Sequence, residues 1–254
     1  MRILMLCAGL SGALLVGHDA FAKEICVGYG PQAPRDISNP IGENLRPFSP
    51  APEAAALNLC NIHSHNPAEH KGPGFAIPAA AGAGQLCDTE GVEPDRLRPM
   101  EGAFHGAQPG DTVEFHWVYS SCDVAPGPGL GSCLRESCAN PQLRVEAQVF
   151  LVVNDRAGLD INAFDYAGPP TSGAHQPRAL PDGVPVVFAG STTGPSFNDA
   201  VCSPFQVTWS VRPGCQQLDI ASLHAWAEAN IFEEDHAHGV RTLVTEPALL
   251  SPMR

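Results

Sequence analysis

Hydrophobic and polar positions alternate most cleanly at 111-DTVEFHWVYSS-121. In an extended chain Phe115, Trp117 and Tyr119 fall on one face, and Thr112, Glu114, His116, Val118 and Ser120 on the other. The pattern predicts a strand with a packed aromatic face, entered through the turn residues Pro109-Gly110. A second long strand is predicted over 143-LRVEAQVFLVVND-155, buried mostly in its C-terminal half. Further strands are expected from Leu57 to His65 and at 184-VPVVFA-189, 206-QVTWSV-211 and 240-VRTLVT-245. One helix stands out at 219-DIASLHAWAEAN-230, where Asp219 can cap the N-terminus and Ile220, Leu223, Trp226 and Ala227 share a face. Residues 27–59 read as mostly irregular. The stretch from Lys71 to Gln108 reads as a long surface excursion with a low-complexity centre, 76-AIPAAAGAGQ-85.

Composition agrees with many short elements: 25 Gly and 25 Pro favour strands and turns over long helices. No internal repeat or inter-domain linker is visible. The expected fold is mainly β, a single domain around a large, mostly antiparallel central sheet with a few short helices and long loops.

Residues 2–22 carry Arg2, an apolar run from Ile3 to Val16, and Ala20-Phe21-Ala22 before Lys23. This is the layout of a secretory signal peptide over 1–22, too short for a permanent membrane anchor, with the mature domain over 23–254. An exported, periplasmic or secreted chain is therefore expected. Cleavage removes Cys7 and leaves Cys26, Cys60, Cys87, Cys122, Cys133, Cys138, Cys202 and Cys215, an even set suited to disulfides. A net charge of −13 argues against nucleic acid or an anionic membrane as partner.

The candidate chemistry starts at 61-NIHSHNPAEHKGPGF-75. On a strand His63 and His65 project from one side with Asn61, so both rings can reach one ion; two exposed surface histidines would give the same pattern. His116 adds a third imidazole, with Glu114 on the same face. Glu114 or Asn61 can accept the ring N–H of a ligand histidine and so fix its tautomer. A core-edge histidine held by Glu114 is the plain alternative. Three neutral nitrogen ligands leave a fourth zinc position open, as in catalytic sites.

Five segments in order resemble carbonic anhydrases, most closely the delta class. They are 28-GYGPQAPRDI-37, 58-NLCNIHSHNPAEHKGPGF-75, 112-TVEFHWVYSS-121, 190-GSTTGPS-196 and 206-QVTWSV-211. The order of H-x-H, E-H, E-x-H, G-S-T-T and V-T-W also parallels the alpha class. The resemblance implies reversible hydration of carbon dioxide to bicarbonate by a zinc-bound hydroxide, with His63, His65 and His116 as ligands and Glu114 orienting His116. It pairs the Thr192 hydroxyl with the Glu69 carboxylate, so that Thr192 can only accept from the hydroxide and aims it. It assigns Val118, Trp209 and Thr193 to the substrate pocket, and it suggests a Cys26–Cys202 disulfide.

No histidine lies between residues 23 and 62, so a proton relay cannot be carried over. His70, His105 and His175 are candidates on composition alone, each otherwise a surface histidine. Ser64, Asn66 and Gly194-Pro195-Ser196 depart from the alpha-class pattern, and 233-EEDHAH-238 reads as a solvated acidic turn.

Two other functions fit part of the pattern. A cupin-type oxygenase or isomerase would use His63, His65 and Glu69 as ligands in a small β-barrel, for iron or manganese. A non-catalytic secreted zinc-binding protein would keep the three histidines without turnover.

Overall fold

The computed structural model describes residues 25–138 and 140–253. The expected signal peptide, including Cys7, lies outside the described residues. The strands are β1 (Asn58–His65), β2 (Ile77–Pro78), β3 (Gln85–Leu86), β4 (Thr112–Ser120), β5 (Leu143–Val153), β6 (Val186–Ser191) and β7 (Gln206–Asp219). One α-helix, α1 (Ile220–Ala227), follows β7 directly, and short 3-10 turns occupy several loops. Five strands form one open sheet in the order β1-β4-β5-β7-β6. Three neighbouring pairs are antiparallel and β5 runs parallel to β7, so the sheet is mixed. Open edges remove the small-barrel alternative.

The alternation on β4 sets the architecture. Its aromatic face, with Ile62 of β1 and Phe150 of β5, packs against α1 through Ile220, Leu223 and Trp226. Phe115 and Trp226 meet edge to face with ring centroids 5.6 Å apart. The opposite face gathers Val118, Val145, Val207 and Trp209 into a second core. Each side of the sheet thus buries its own apolar layer, the main stabilising term. Asp219 caps α1 by accepting from the Ala221 N–H at 3.1 Å.

Two elements differ from expectation. β7 continues to Asp219 through Pro213-Gly214, because its second half pairs with β5 from Val149 to Val153. Residues 240–245 form no strand. Their buried backbone is satisfied one group at a time, with Val244 N–H donating to the Pro34 carbonyl at 2.9 Å. Arg241, fully buried, reaches Gln32, Ala33 and Asn198 with its guanidinium and so ties this segment to the N-terminal region.

Four disulfides join Cys26–Cys202, Cys60–Cys133, Cys87–Cys215 and Cys122–Cys138. The first is the pair the resemblance suggested. The third anchors the 71–108 excursion, whose Phe75 and Phe104 are also buried. Four bridges indicate an oxidising environment. Among the described residues no helix is long and apolar enough to cross a membrane.

Candidate metal centre

β1 and β4 lie side by side with His63 directly opposite His116 and His65 opposite Glu114. A register shift between Leu59 and Asn61 turns Cys60 toward the site face while Asn61, His63 and His65 keep strict alternation after it. One ring nitrogen from each of His63, His65 and His116 lies within 4.8 Å of the other two. His65 and His116 are buried and His63 is half-buried.

The hydrogen bonds fix which nitrogens face inward. Asn61 Nδ2 donates to the Gly127 carbonyl at 3.1 Å, which orients its Oδ1 to accept from His63 Nδ1 at 2.7 Å. The Gly239 carbonyl, which can only accept, lies 3.0 Å from His65 Nδ1. Glu114 Oε1 lies 3.1 Å from His116 Nε2. Burial alone would raise the Glu114 pKa, but His70 and His116 hold it well below the usual carboxylate range, so it is ionised and accepts. Each outer nitrogen therefore carries the hydrogen. The inner atoms, His63 Nε2, His65 Nε2 and His116 Nδ1, are three lone pairs aimed at one another.

His65 Nε2 is buried with no hydrogen-bond partner among the described residues. A buried unpaired acceptor costs on the order of 1–3 kcal/mol, a cost that a cation held by the three rings would remove. Burial lowers the His65 pKa to about 4 and, with the neighbouring rings, depresses His63 strongly; His116 is lowered too, by burial, against the pull of Glu114. Protons are thus poor occupants of the centre, and a metal ion fits the donor set. A second group of close ligand atoms, His70, Glu114 and His116, shares His116 with the first, and Glu69 belongs to neither.

A model of the delta carbonic anhydrase family matches residues 54–222, which contain the three histidines, Glu69, Glu114 and both threonines. The chain belongs to the delta carbonic anhydrase family. Carbon dioxide and bicarbonate are accordingly its substrate and product. No curated protein matches the chain. Among solved structures, one described as a hyperthermostable carbonic anhydrase identified from an active hydrothermal vent chimney is similar at 15% identity, covering 88% of this chain and 86% of its own, with a TM-score of 0.36.

Two features of this carbonic anhydrase differ from the residue-by-residue expectation. The two threonines, which lie just past the end of β6 at Ser191, have different partners. Thr192 turns to Ser203, with the two hydroxyl oxygens 2.5 Å apart. Burial raises the Glu69 pKa, and the Thr193 hydroxyl, with His116, is among the groups that pull it back down, so Thr193 rather than Thr192 is the threonine near that carboxylate. Both threonines carry the same hydroxyl, and only their partners in the folded chain separate them.

The second concerns histidines. His70 is no surface residue: it is fully buried, donates from Nδ1 to Glu114 at 2.7 Å and packs against Trp209 with ring centroids 4.6 Å apart. His105 is exposed, and His175 meets the Tyr166 hydroxyl on the far side of β1. The histidine beside the cluster is His238, 6.0 Å between ring centroids from both His63 and His65. Its segment is a solvated acidic turn only in part: Glu233, Asp235 and His236 are exposed, but Glu234 and His238 turn inward. Glu234 is buried, accepts from Ser64 N–H at 2.8 Å and lies 3.1 Å from His238 Nε2, raising the pKa of that ring. Main-chain bonds from His238 to Ser64 and Asn66, which no sequence motif encodes, bring it there.

Two cavities meet at the centre. A chamber of about 270 Å³ has His63, His116, Val118, Thr192, Thr193 and Trp209 in its lining. Trp209 is held by its Nε1–H donating to the Ser191 carbonyl at 2.9 Å, and Gly190 makes room for the indole, since a Cβ there would come 2.8 Å from Trp209 Cδ1. On the other side of His63 and Thr193 opens a second vestibule, whose border includes the polar side chains of Asn61, Glu234 and His238.

Proposed function

We propose that this carbonic anhydrase hydrates carbon dioxide at a zinc centre held by His63, His65 and His116. The observation that carries the reading is the convergence of three imidazole lone pairs whose outer nitrogens are all fixed by acceptors. An all-nitrogen set of neutral ligands with no carboxylate among them suits zinc, which as a Lewis acid brings the pKa of a coordinated water near 7.

The chain's own residues supply the rest. Asn61, the Gly239 carbonyl and Glu114 set the tautomer and aim of the three rings, and Glu114 is in turn held by the Glu69 and His70 backbone N–H groups at 2.7 and 3.0 Å. Thr193 donates to Glu69, which leaves its oxygen free only to accept from the nucleophile and so orients it; this replaces the Thr192 assignment. Val118 and Trp209 offer an apolar wall for an uncharged substrate and exclude competing water. The second vestibule, with Glu234 and His238 on its border, gives the proton a path to solvent.

Residues 23–254 act as the catalytic domain of an exported protein, after loss of a signal peptide over 1–22. The four disulfides support export. The test is metal content and carbon dioxide hydration measured together for the wild type and His116→Ala. Zinc near one per chain with activity, and loss of both in the variant, is the expected result. Full activity in a chain without metal, or in His116→Ala, overturns the reading.

A further inference from the structure

Arg241 is a cation taken wholly out of water, and burial lowers its pKa against the charges of Asp199 and Glu69. A buried guanidinium is costly unless hydrogen bonds surround it. Nη1 donates to Gln32 Oε1 at 3.1 Å and to the Ala33 carbonyl at 2.9 Å, and Nη2 donates to the Asn198 carbonyl at 2.9 Å. Asn198 belongs to the segment between β6 and β7 that carries both threonines. Gln32 Oε1 reaches that segment again, accepting from the Ser203 N–H at 3.0 Å.

The main chain of the same residue meets the other half of the pair. The Arg241 N–H donates to Glu69 Oε1 at 3.4 Å, and Glu69 is fully buried. Two residues earlier the Gly239 carbonyl accepts from His65. Arg241 thus holds the carboxylate with its backbone and the threonine segment with its side chain.

We propose that Arg241 is a positioning residue for the threonine–glutamate pair, its N–H fixing the Glu69 carboxylate while its guanidinium holds the segment that brings Thr193 to it. The proposal rests on the orienting role given to Thr193 and Glu69 above. Arg241 lies outside the lining of both cavities, so its effect belongs to kcat and not to KM.

Arg241→Lys keeps the charge but loses the planar fork. Hydration of carbon dioxide per bound zinc is expected to lose about 10- to 100-fold in kcat with KM unchanged. Zinc affinity, read by competition with a chromophoric chelator, is expected to stay as it is. In a Thr193→Val background the same substitution is expected to cost less than about twofold, because no pair remains to be held. Arg35→Lys is the structural control: Arg35 is also buried, and its guanidinium binds the Ser251, Asn39 and Ile41 carbonyls. It is expected to lower the melting temperature and leave kcat alone.

An equal loss from Arg241→Lys with and without Thr193, or an equal loss of kcat in Arg35→Lys, makes the role one of fold stability and overturns the proposal. Loss of zinc with kcat per bound zinc unchanged overturns it too, since Arg241 then acts through Gly239 and His65. Full activity in Thr193→Val overturns the orienting role and this proposal together, whereas a costly Thr193→Val with a silent Arg241→Lys overturns only the proposal. Should Arg241→Lys not fold, NMR of the metal-free wild type decides. The Arg241 amide proton is expected to exchange slowly and to move upfield in Glu69→Gln; an amide that exchanges freely, or that ignores Glu69→Gln, overturns the proposal.

Discussion

His63 Nε2 and His116 Nδ1 stand 3.3 Å apart across the β1–β4 pair, with the outer nitrogen of each ring already committed to Asn61 or Glu114. Two lone pairs face each other there, and a third comes from His65. Stripping the protein with a chelator is expected to lower its melting temperature, and zinc to restore it, by mass action on the folded state. Glu114→Gln keeps the size of the side chain but weakens the acceptor. Zinc affinity is expected to fall about 10- to 100-fold, read by competition with a chromophoric chelator. Unchanged affinity would mean that Glu114 does not orient His116.

The metal-free protein is expected to lose stability on mild acidification. Burial holds His65 near 4, while an imidazole in the unfolded chain takes up a proton near 6.5. Between these values the unfolded state binds more protons, so stability is complete above about pH 6.5 and falls as the pH drops toward 4. This ring alone is worth about 3 kcal/mol at most. Denaturant melts of stripped protein at several pH values check it, and a stability flat across that window contradicts it.

The two adjacent threonines are expected to separate kinetically. Thr193→Val removes the hydroxyl that bears on Glu69 and is expected to lower kcat/KM about 100-fold or more, the scale for loss of one orienting hydrogen bond. Thr192→Val removes the contact with Ser203 and is expected to cost less than tenfold. Stopped-flow hydration of carbon dioxide by both variants decides between them, and a larger loss in Thr192→Val would reverse the assignment.

Cys60 and Cys133 are 73 residues apart in sequence, and their bond fastens the chamber wall to β1. Replacing both with serine is expected to destabilise the fold by about 2–5 kcal/mol. It is also expected to leave zinc bound, because the ligands sit on paired strands rather than on the loop. Melting curves and metal analysis of the double variant test both parts.

Much of this was legible in the sequence because it rests on local periodicity. Alternation over 112–120 separates Phe115, Trp117 and Tyr119 from Glu114, His116 and Val118, and that partition is the one the sheet uses. What stayed hidden depends on contacts distant in sequence. The parallel pairing of β5 with β7 extends β7 through Pro213-Gly214, beyond the 206–211 that the local pattern predicts. His238 reaches the cluster through main-chain bonds to Ser64 and Asn66 across more than 170 residues. His70 looked like a surface residue because its partner, Glu114, lies on another strand. The three pairings among Cys60, Cys87, Cys122, Cys133, Cys138 and Cys215 are likewise properties of the folded chain.

The aromatic layer behind β4 has a consequence for how such an enzyme can diversify. The rings that hold the sheet in shape lie on the side away from the imidazoles, and the strands between carry the ligands. Apart from the Gly127 carbonyl that holds Asn61, the loop from 121 to 142 contributes wall rather than ligands. Insertions or changes of side chain there can alter what is admitted while the reacting geometry stays put, so selection can revise the doorway without rebuilding the room.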